Sequence, residues 1–239
     1  MELQPWELLL KKIVWKQLEF IKDKKILDFG SGHGVTANHF AKDNEVIAIE
    51  PSKEMLSLAV KENDYLQIQG GVETLRQFED DSFDVIICHN VLEYVSDREL
   101  VLNEFNRLLK KDGILSVVKH NRAGRVMQMV VLLNDFDEAE NLLNGGNSVA
   151  KQFGTINYYE DEYLINELGK LGKFELVKNY GIRTFWDLQQ NQEIHKDKEW
   201  QEKMIKMETM VSGIDKYREI AFFHHLIMKK LVKVNRKKV

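Results

Sequence analysis

The stretch Ile26-Leu27-Asp28-Phe29-Gly30-Ser31-Gly32-His33-Gly34 decides the fold of this 239-residue chain. Its first half is apolar, as in a buried strand, and three glycines then follow at alternate positions. A glycine-rich turn between a strand and a helix exposes backbone N–H groups, so a ligand can approach without meeting a Cβ atom. The stretch therefore predicts a strand, a ligand-binding turn and the start of a helix. A tight connection that binds nothing is the alternative for the glycines alone.

The spacing of the glycines distinguishes two classes of cofactor. The dinucleotide fingerprint is G-x-G-x-x-G/A, and counted from Gly30 and Gly32 its third glycine would fall at Val35. The chain instead reads D-x-G-x-G-x-G, with Asp28 ahead of the glycines. A carboxylate at this place suits a cationic cofactor that lacks a pyrophosphate. The pattern therefore argues against a dehydrogenase.

A second acid stands at the end of the next apolar run. Glu50 follows the first glycine by 20 residues, and at about this distance an acid reaches the hydroxyls of a ribose in dinucleotide-type folds. Pro51 and Ser52 come next, and Met55 lies about one helical turn further on. Met55 is a candidate to cover a face of an adenine, although a methionine on a helix face is more often part of the core.

Apolar runs that alternate with helical segments predict an α/β fold. Such alternation implies a parallel sheet with helices on both faces. The early strands are expected at Lys25–Phe29, Glu45–Ile49, Phe83–Cys88 and Gly113–Lys119, and helices are expected around 34–42, 52–62 and 97–111.

The two ends of the chain complete this fold. Pro5 suits the first turn of a helix, and apolar residues follow it at helical spacing. Phe174–Phe185 and Ile220–Met228 predict two long strands, joined by a charged helical insertion over about 187–211. We expect this pair to complete the sheet, with one strand antiparallel at its edge, and we expect the last strand to be antiparallel. Residues 121–159 are an insertion after the fifth strand, either a lid or a mobile loop.

Composition excludes several other classes of protein. Hydrophobic residues make up 44% and charged residues 30%, which is typical of a globular chain. The formal net charge of -4 gives no overall attraction to phosphate backbones. Cys88 is the single cysteine, so no intrachain disulfide forms, and the spacing of the seven histidines indicates no metal site. No secretory signal or membrane-spanning run is evident, so we expect one cytoplasmic domain over residues 1–239.

The glycine motif and the acid that follows it resemble the first motifs of the class I S-adenosylmethionine-dependent methyltransferases. This resemblance implies a Rossmann-like sheet, the cofactor S-adenosylmethionine and methyl transfer as the activity. The residues that it assigns to cofactor binding are Asp28, Gly30, Ser31, Gly32, Gly34, Glu50, Pro51, Ser52 and Met55.

Two later segments also resemble motifs of this family. Glycine stands at Gly71, where many relatives have aspartate, so the Val72 backbone N–H and Glu73 are expected to recognise the adenine. The segment 88–95 resembles the fourth motif, which implies that His89 and Asn90 lie beside the methionine part of the cofactor. For His89, a hydrogen-bonded histidine at a strand end is the alternative.

A closer resemblance spans nearly the whole chain from Ile13. It is to the tRNA carboxymethoxyuridine methyltransferases, which methylate the carboxylate of a modified wobble uridine. The segments that carry it are Asn90–Val95, Asp112–Ser116, Asn121 with Gly124 and Met127, Gly181–Phe185 with Asp187, and Glu208-Thr209 with Tyr217. The matching segments after Lys119 are specific for this subfamily, because class I methyltransferases that act on different substrates differ in that region. The resemblance implies a tRNA acceptor.

The chain departs from this subfamily at two places. Leu10 stands where relatives have a basic residue before the tryptophan turn of the first helix, so Lys11 or Lys12 is expected to substitute. In addition, Lys119-His120-Asn121-Arg122 replaces a more aromatic run, which changes the expected acceptor pocket.

His120, Asn121 and Arg183 are the candidates for substrate binding. A guanidinium grips a carboxylate or phosphate through two hydrogen bonds, so Arg183 is expected to hold an anionic acceptor. A structural ion pair between Arg183 and Asp187 is the alternative. Lys119, Arg122 and Arg125 add positive charge near the insertion, which favours RNA, although basic residues at a strand end are commonly solvated.

The reaction itself narrows the search for catalytic residues. The sulfonium is an activated methyl donor, so the protein mainly aligns the acceptor and excludes water. A carboxylate acceptor is ionised near neutral pH and needs no general base. If the acceptor is a hydroxyl or an amine, His89, His120 and His225 are the candidates for the base. A small-metabolite methyltransferase and a non-catalytic cofactor sensor are the rival functions.

Overall fold

The computed structural model describes residues 3–150, 154–172 and 174–231. Its strands are β1 (Lys25–Phe29), β2 (Glu45–Glu50), β3 (Leu66–Gln69), β4 (Phe83–His89), β5 (Leu109–His120), β6 (Ser148–Ala150), β7 (Gly154–Ile156), β8 (Phe174–Ile182) and β9 (Phe223–Lys230). Seven of these strands form one sheet in the order β3-β2-β1-β4-β5-β9-β8, and β6 pairs with β7 in a separate ribbon.

Helices cover both faces of the sheet. They are α1 (Pro5–Gln17), α2 (Val35–Phe40), α3 (Lys53–Ser57), α4 (Arg98–Leu108), α5 (Arg122–Gln128), α6 (Phe136–Leu143), α7 (Asp161–Leu171), α8 (Lys198–Val211) and α9 (Asp215–Arg218). Short 3-10 turns occur at Val72–Gln77, Trp186–Leu188 and Gln192–Lys196. Within the described ranges, no helix combines the length and the apolar composition that crossing a membrane requires.

The predicted α/β architecture with a parallel centre is confirmed. β1 pairs in parallel with β2 on one side and with β4 on the other. Phe105 of α4 and Leu164 of α7 are buried against one face, and Ile13 of α1 and Phe40 of α2 are buried against the other. Because both faces are covered, the inner strands are apolar along nearly their whole length.

The last strand is antiparallel, as expected, and the pair completes the sheet, with β9 inside it and β8 outermost. β9 pairs antiparallel with β5 and with β8, and β8 is the edge strand. Six consecutive residues of β9, Phe223 to Met228, are buried, whereas Val177 of β8 is 43% exposed. The strand that is apolar on both faces therefore takes the inner position, where neighbours cover both of its sides.

Two predicted helices have different boundaries in the structure, and each difference has a physical cause. The predicted helix 97–111 ends at Leu108, because Leu109 already pairs with Phe83 at the start of β5. The predicted helical insertion of about 187–211 is interrupted by 3-10 turns, and α8 begins only after Asp197, whose side chain accepts a hydrogen bond from the Trp200 backbone N–H at 2.7 Å.

The insertion of residues 121–159 is a packed unit in its described part. Met129, Leu142 and Ile156 are buried together in a small apolar cluster of its own. Asn121 ties the unit to the sheet, because its side-chain amide donates to the backbone oxygens of Glu219 and Ala221 at 2.9 and 2.8 Å. The insertion is therefore anchored at the carboxyl end of β5.

We predict that Gly124→Ala destabilises the protein by about 1–3 kcal/mol, the usual cost of overpacking. A Cβ atom at this position of α5 would overlap the backbone oxygen of Ala221, which belongs to the segment that anchors the insertion. Urea unfolding measures the change. Gly169→Ala in α7 is the matched control, because its Cβ meets nothing within 4 Å and alanine favours a helix. Equal unfolding midpoints for wild type and Gly124→Ala would contradict the prediction.

Candidate cofactor and acceptor site

The candidate site lies where the order of the sheet reverses. From β1 the chain proceeds outward to β2 and β3, whereas β4 and β5 lie on the other side of β1. Ligands of open α/β sheets bind in the crevice at the carboxyl ends of the strands at such a point. The glycine turn after β1, Glu50 of β2, Asn90 after β4 and His120 of β5 all lie at this edge.

The conformation of the glycine turn requires glycine. Gly30, Gly32 and Gly34 have φ values of +74°, +57° and +69°, in the left-handed region that other residues rarely adopt. A Cβ atom on Gly30 would overlap the Val91 side chain, and one on Gly34 would overlap the Tyr65 hydroxyl. The turn therefore keeps its backbone open toward the crevice.

Glu50 joins this turn to the next one. Its carboxylate is buried and accepts a hydrogen bond from the Gly32 backbone N–H at 2.8 Å and one from the Ser52 backbone N–H at 2.9 Å. The Ser52 hydroxyl in turn accepts from the Met55 backbone N–H at 3.3 Å and caps α3. One carboxylate thus fixes both loops between which a ribose would lie.

Asp28 is a buried acid with an unsatisfied oxygen. Its Oδ2 atom accepts no hydrogen bond from the described residues. Burial raises the pKa of Asp28 to about 6, although the nearby Lys11 charge and a hydrogen bond from the Ala37 backbone N–H act in the opposite direction. Lys11 donates to the Thr36 hydroxyl at 2.6 Å. Of the two lysines expected to substitute for a basic residue, Lys11 is therefore the one at the site.

An apolar pocket of about 220 Å³ adjoins the glycine turn. It is lined by Phe29, Gly30, Pro51, Gly71, Val72, Val91, Val95, Ser96, Asp97, Leu100 and Val101. Pro51 and Val72 were predicted here, whereas Val91, Val95 and the start of α4 were missed. The apolar residues at four-residue spacing in Val91-Leu92-Glu93-Tyr94-Val95 are the signal that could have found them. The size and lining suit a planar ring such as adenine.

Glu73 does not line this pocket, and its expected role with the adenine stays a prediction. The side chain is exposed, and it accepts a hydrogen bond from the Gly71 backbone N–H at 2.7 Å. That bond lowers the pKa of Glu73. The Glu73 carboxylate bonds within its own turn. The Val72 backbone, which lines the pocket, is therefore the better placed of the two candidates for an adenine.

Asn90 and His89 end β4 in different ways. Asn90 has φ +57°, and its buried Oδ1 atom has no hydrogen-bond partner in the described ranges. His89 instead turns to the sheet, where its Nε2 lies 2.8 Å from the Ser116 hydroxyl, which is also 2.8 Å from Nε2 of His225. Burial holds the pKa of His89 well below its usual value. This contact fits the alternative interpretation of His89, in which the histidine forms a hydrogen bond at the end of a strand.

The polar groups left without partners fit S-adenosylmethionine. Asp28 Oδ2, Ser31 Oγ and Asn90 Oδ1 are buried around the turn and unpaired within the described residues. Buried polar groups are nearly always hydrogen-bonded, so three such atoms at one edge indicate a polar ligand. A cofactor with ammonium and ribose groups at one end and an adenine at the other matches these atoms and the apolar pocket.

His120 lies on the far side of the crevice, among aromatic rings. Its Nδ1 is 3.1 Å from Glu93 Oε1, which also accepts from the His120 backbone N–H at 2.6 Å. The ring centroids of four side chains lie within 6.4 Å of the imidazole: Tyr94, Tyr158, Phe222 and Phe223. Glu93 was missed in the sequence, although an acid inside the apolar run Val91–Val95 is the signal that could have identified it.

Asn121 and Arg183 are used differently from the substrate-binding roles expected of them. Both functional groups of the Asn121 amide are engaged, since Oδ1 accepts from the Ala123 backbone N–H at 3.3 Å while Nδ2 anchors the insertion. Arg183 has φ +63°, and its guanidinium forks onto Asp187, with Nε 2.8 Å from Oδ2. Arg183 thus forms the ion pair with Asp187 that was the alternative to substrate binding. A role of Arg183 toward the acceptor stays a prediction.

The other basic residues near the insertion are also committed to internal contacts. Lys119 is 2% exposed and pairs with Asp161 at 3.0 Å. Arg122 donates to backbone oxygens of the insertion, among them that of Leu142 at 3.2 Å. Lys119 is therefore removed from solvent, whereas Arg122 is half-buried and bonds to neutral backbone oxygens, so a basic surface for RNA near the insertion stays a prediction.

Of the three histidines considered as a base, His120 is the one placed for an acceptor. His225 is fully buried, bonded to Ser116 on one side and to the Gln17 side chain at 2.7 Å on the other, and burial lowers its pKa to about 3. His89 is bonded to Ser116. The Nε2 atom of His120 makes no hydrogen bond with the described part of the chain.

One known domain family matches a segment in the first half of the chain. The methyltransferase domain family matches residues 27–117, the segment that holds the glycine turn and the strands around it. The match ends close to the carboxyl end of β5. Its residues include Glu50, Asn90 and the apolar pocket.

Three relatives show how far the likeness extends. A tRNA 5-carboxymethoxyuridine methyltransferase of Escherichia coli is 24% identical over 93% of this chain and 88% of its own length. The uncharacterized methyltransferase YcgJ of Bacillus subtilis is 33% identical over 44% of each chain, so that sequence match spans less than half of the relative. A ubiquinone biosynthesis O-methyltransferase of Actinobacillus pleuropneumoniae is 32% identical over 46% of this chain and 51% of its own.

The fold of YcgJ is similar over nearly the whole molecule. Its crystal structure superposes with a TM-score of 0.57 at 18% identity, covering 92% of this chain and 97% of the other. The fold is therefore that of YcgJ over nearly the whole chain, and residues 27–117 form a methyltransferase domain. The matched domain and the relatives indicate an S-adenosylmethionine-dependent methyltransferase.

We predict that Glu50→Gln weakens S-adenosylhomocysteine binding about 10- to 100-fold, since hydrogen bonds to a charged group contribute about 1.5–3 kcal/mol. The neutral amide keeps the shape of the side chain but loses the charge that would hold the ribose hydroxyls. Calorimetry measures the affinity, and the melting temperature shows whether the turn survives. Glu45→Gln, at the exposed start of the same strand, is the matched control. Unchanged affinity in a folded Glu50→Gln would remove Glu50 from the ribose site.

We also predict that S-adenosylmethionine binds more tightly as the pH rises through about 6. The pKa of Asp28 is about 6 in the cofactor-free protein and 3.8 in its unperturbed state. The protonated acid therefore stabilises the cofactor-free fold at low pH, and this contribution is lost as the pH rises through the folded value. A cationic cofactor prefers the ionised form, so binding releases a proton.

Calorimetry at pH 5, 6 and 7 should show an affinity gain of about tenfold over this interval, bounded by one proton. Asp28→Asn should flatten the profile. A wild-type affinity that does not change with pH, or a profile that persists in Asp28→Asn, would show that another group controls binding.

Proposed function

We propose that this enzyme methylates the carboxylate of a modified wobble uridine in tRNA. The observation that carries the proposal is the extent of the likeness to the tRNA 5-carboxymethoxyuridine methyltransferase, which covers 93% of this chain. It therefore continues beyond residue 117, where the match to the general methyltransferase domain ends. Class I enzymes of different substrate differ most in that later part.

The chemistry at the carboxyl end of β5 supports such an acceptor. The rings of Tyr94, Tyr158 and Phe222 surround the His120 imidazole. Aromatic side chains stack on unpaired bases, which is the common way in which proteins hold single-stranded RNA. Arg125 lies 5.7 Å above the Phe222 ring and adds a positive charge beside these rings. A base that carries a carboxylate matches both features.

The role of the protein in the transfer is to align two ligands. S-adenosylmethionine, when bound, supplies the activated methyl group. Glu50 and the glycine turn would orient it across β1 and β4, and Asp28 would supply a negative charge next to its cationic end. The insertion and the Phe222-Phe223 segment exclude water from the acceptor side, where Phe222 is 6% exposed. A carboxylate oxygen attacks without losing a proton, so alignment suffices.

A small-metabolite acceptor is the second candidate. The burial of the acceptor-side rings favours it, since Tyr158 is 9% exposed and Phe223 is 3% exposed. One matched relative is named as an O-methyltransferase of ubiquinone biosynthesis. A hydroxyl acceptor requires a base in the transfer step, and His120 is the residue in position to serve.

We predict that a strain without this gene accumulates tRNA that carries carboxymethoxyuridine and lacks its methyl ester. Mass spectrometry of nucleosides from total tRNA, beside wild type, tests this. The wild-type gene should restore the ester, and a gene that encodes Glu50→Gln should restore little of it. Identical nucleosides in both strains would overturn the tRNA acceptor.

The salt response of the purified enzyme separates the two candidates. Methylation of the tRNA from the deletion strain should fall steeply with added salt, because each neutralised phosphate releases counterions. A flat response with a small acceptor would favour the metabolite.

A further inference from the structure

Glu93 and His120 form a buried acid–imidazole pair that the cofactor site does not use. Glu93 has no exposed surface, and its Oε1 atom accepts both the backbone N–H and Nδ1–H of His120. Two bonds from one residue fix the orientation of the imidazole at the end of β5. Its second oxygen, Oε2, accepts no hydrogen bond within the described residues.

A buried carboxylate needs a compensating charge. Removing an ion from water costs several kcal/mol unless a partner and hydrogen bonds offset it. Burial alone raises the pKa of Glu93, but the hydrogen bonds and charge of His120 outweigh it and bring the pKa below its usual value. The contact with His120 therefore stabilises the ionised acid, and Nδ1 is the ring nitrogen that faces it.

Groups from several elements pack around His120. Glu93 and Tyr94 come from the segment after β4, Tyr158 from the end of the insertion, and Arg125 from α5, above the Phe222 ring. Behind that ring lies Arg183, 4.5 Å from its centroid and neutralised by Asp187. The side chain of His120 is 11% exposed, and its Nε2 is not among the buried atoms without a partner. Nε2 is therefore the ring atom of His120 that remains available to a ligand.

We propose that Glu93 and His120 are the anion-binding pair of the acceptor site, with Nε2–H of His120 donating to a carboxylate oxygen of the acceptor. This inference rests on the proposed function, because it assigns the charge of the acceptor. Glu93 acts through His120 and is a positioning residue. The surrounding rings hold the planar group to which the carboxylate is attached.

The Glu93–His120 pair also accounts for release of the methylated product, because methylation removes the negative charge that the pair binds. The free carboxylate oxygen forms the C–O bond to the methyl carbon, the C–S bond breaks, and its electron pair stays on sulfur. No proton moves, and the sulfonium becomes a neutral thioether. The acceptor changes from an anion to a neutral ester, so its charge-assisted hydrogen bond to His120 weakens. The substrate is held more tightly than its product.

The pH dependence distinguishes this role from general-base catalysis. An imidazolium that binds an anion makes kcat/KM fall as the pH rises, because the neutral ring has no positive charge. A general base gives the opposite slope, because only the neutral imidazole accepts a proton. A carboxylate acceptor is ionised throughout this interval, so its own titration does not contribute.

The kinetic test compares wild type with Glu93→Gln, His120→Gln and His224→Gln, using tRNA from the deletion strain. We expect KM for tRNA to rise about 10- to 100-fold in the first two variants, which is the effect of losing a charged hydrogen bond. Affinity for S-adenosylhomocysteine should be unchanged. His224→Gln is the matched control, since His224 pairs with Asp161 at 2.7 Å away from this site. A kcat/KM that rises with pH, or variants within about twofold of wild type, would overturn the pair's role.

A second measurement needs no tRNA and separates the pair from the proposed function. In ¹⁵N-histidine-labelled protein with S-adenosylhomocysteine bound, the His120 signal is assigned by its absence in His120→Gln. Phenoxyacetate, an aromatic carboxylate, should shift Nε2 of wild type, whereas its methyl ester and the Glu93→Gln protein should show no shift. If tRNA is not methylated but phenoxyacetate shifts the Nε2 signal, the proposed tRNA acceptor is wrong and the anion-binding role of Glu93 and His120 is retained. If phenoxyacetate leaves Nε2 unchanged, the pair is overturned.

Discussion

The parallel pairing of β1 with β2 and with β4 is the constraint on which the rest of the structure depends. It brings three carboxyl ends to one edge of the sheet and leaves a crevice where the order of the strands reverses. The glycine turn can face this crevice only because helices bury both faces of the sheet. Every polar group of the site is placed by the strand that ends next to it.

Electrostatics divide this edge into two parts. On the cofactor side, Asp28 and Glu50 are buried acids that suit cationic and hydroxyl groups. On the acceptor side, His120 and Arg125 present donors among aromatic rings. In the proposed reaction, the methyl group moves from the acidic part toward an anion held in the basic part. Each ligand thus lies next to side chains of opposite charge, whereas the reverse arrangement would place like charges together.

Buried pairs perform different tasks in different parts of the molecule. Arg183 with Asp187, and Lys119 with Asp161, neutralise charges that the fold has removed from solvent, and they join β8 and β5 to neighbouring segments. Glu93 also neutralises its partner, but it leaves the outer nitrogen of His120 available. The first two pairs therefore serve the fold alone, whereas the Glu93–His120 pair keeps a ring nitrogen for the proposed acceptor.

The sequence by itself determined the strands of the parallel centre, the glycine turn and the acids before and after it, because each depends on local geometry and on hydrophobic periodicity. It also indicated the class of cofactor through the spacing from Asp28 to Glu50. The place of β9 inside the sheet, the exposure of Glu73 and the burial of Lys119 depend on contacts between segments far apart in the chain. So does the pairing of Glu93 with His120, which are 27 residues apart. Only the tertiary structure decided these, since a local pattern shows which side chains seek burial or a partner but not which distant residue will supply it.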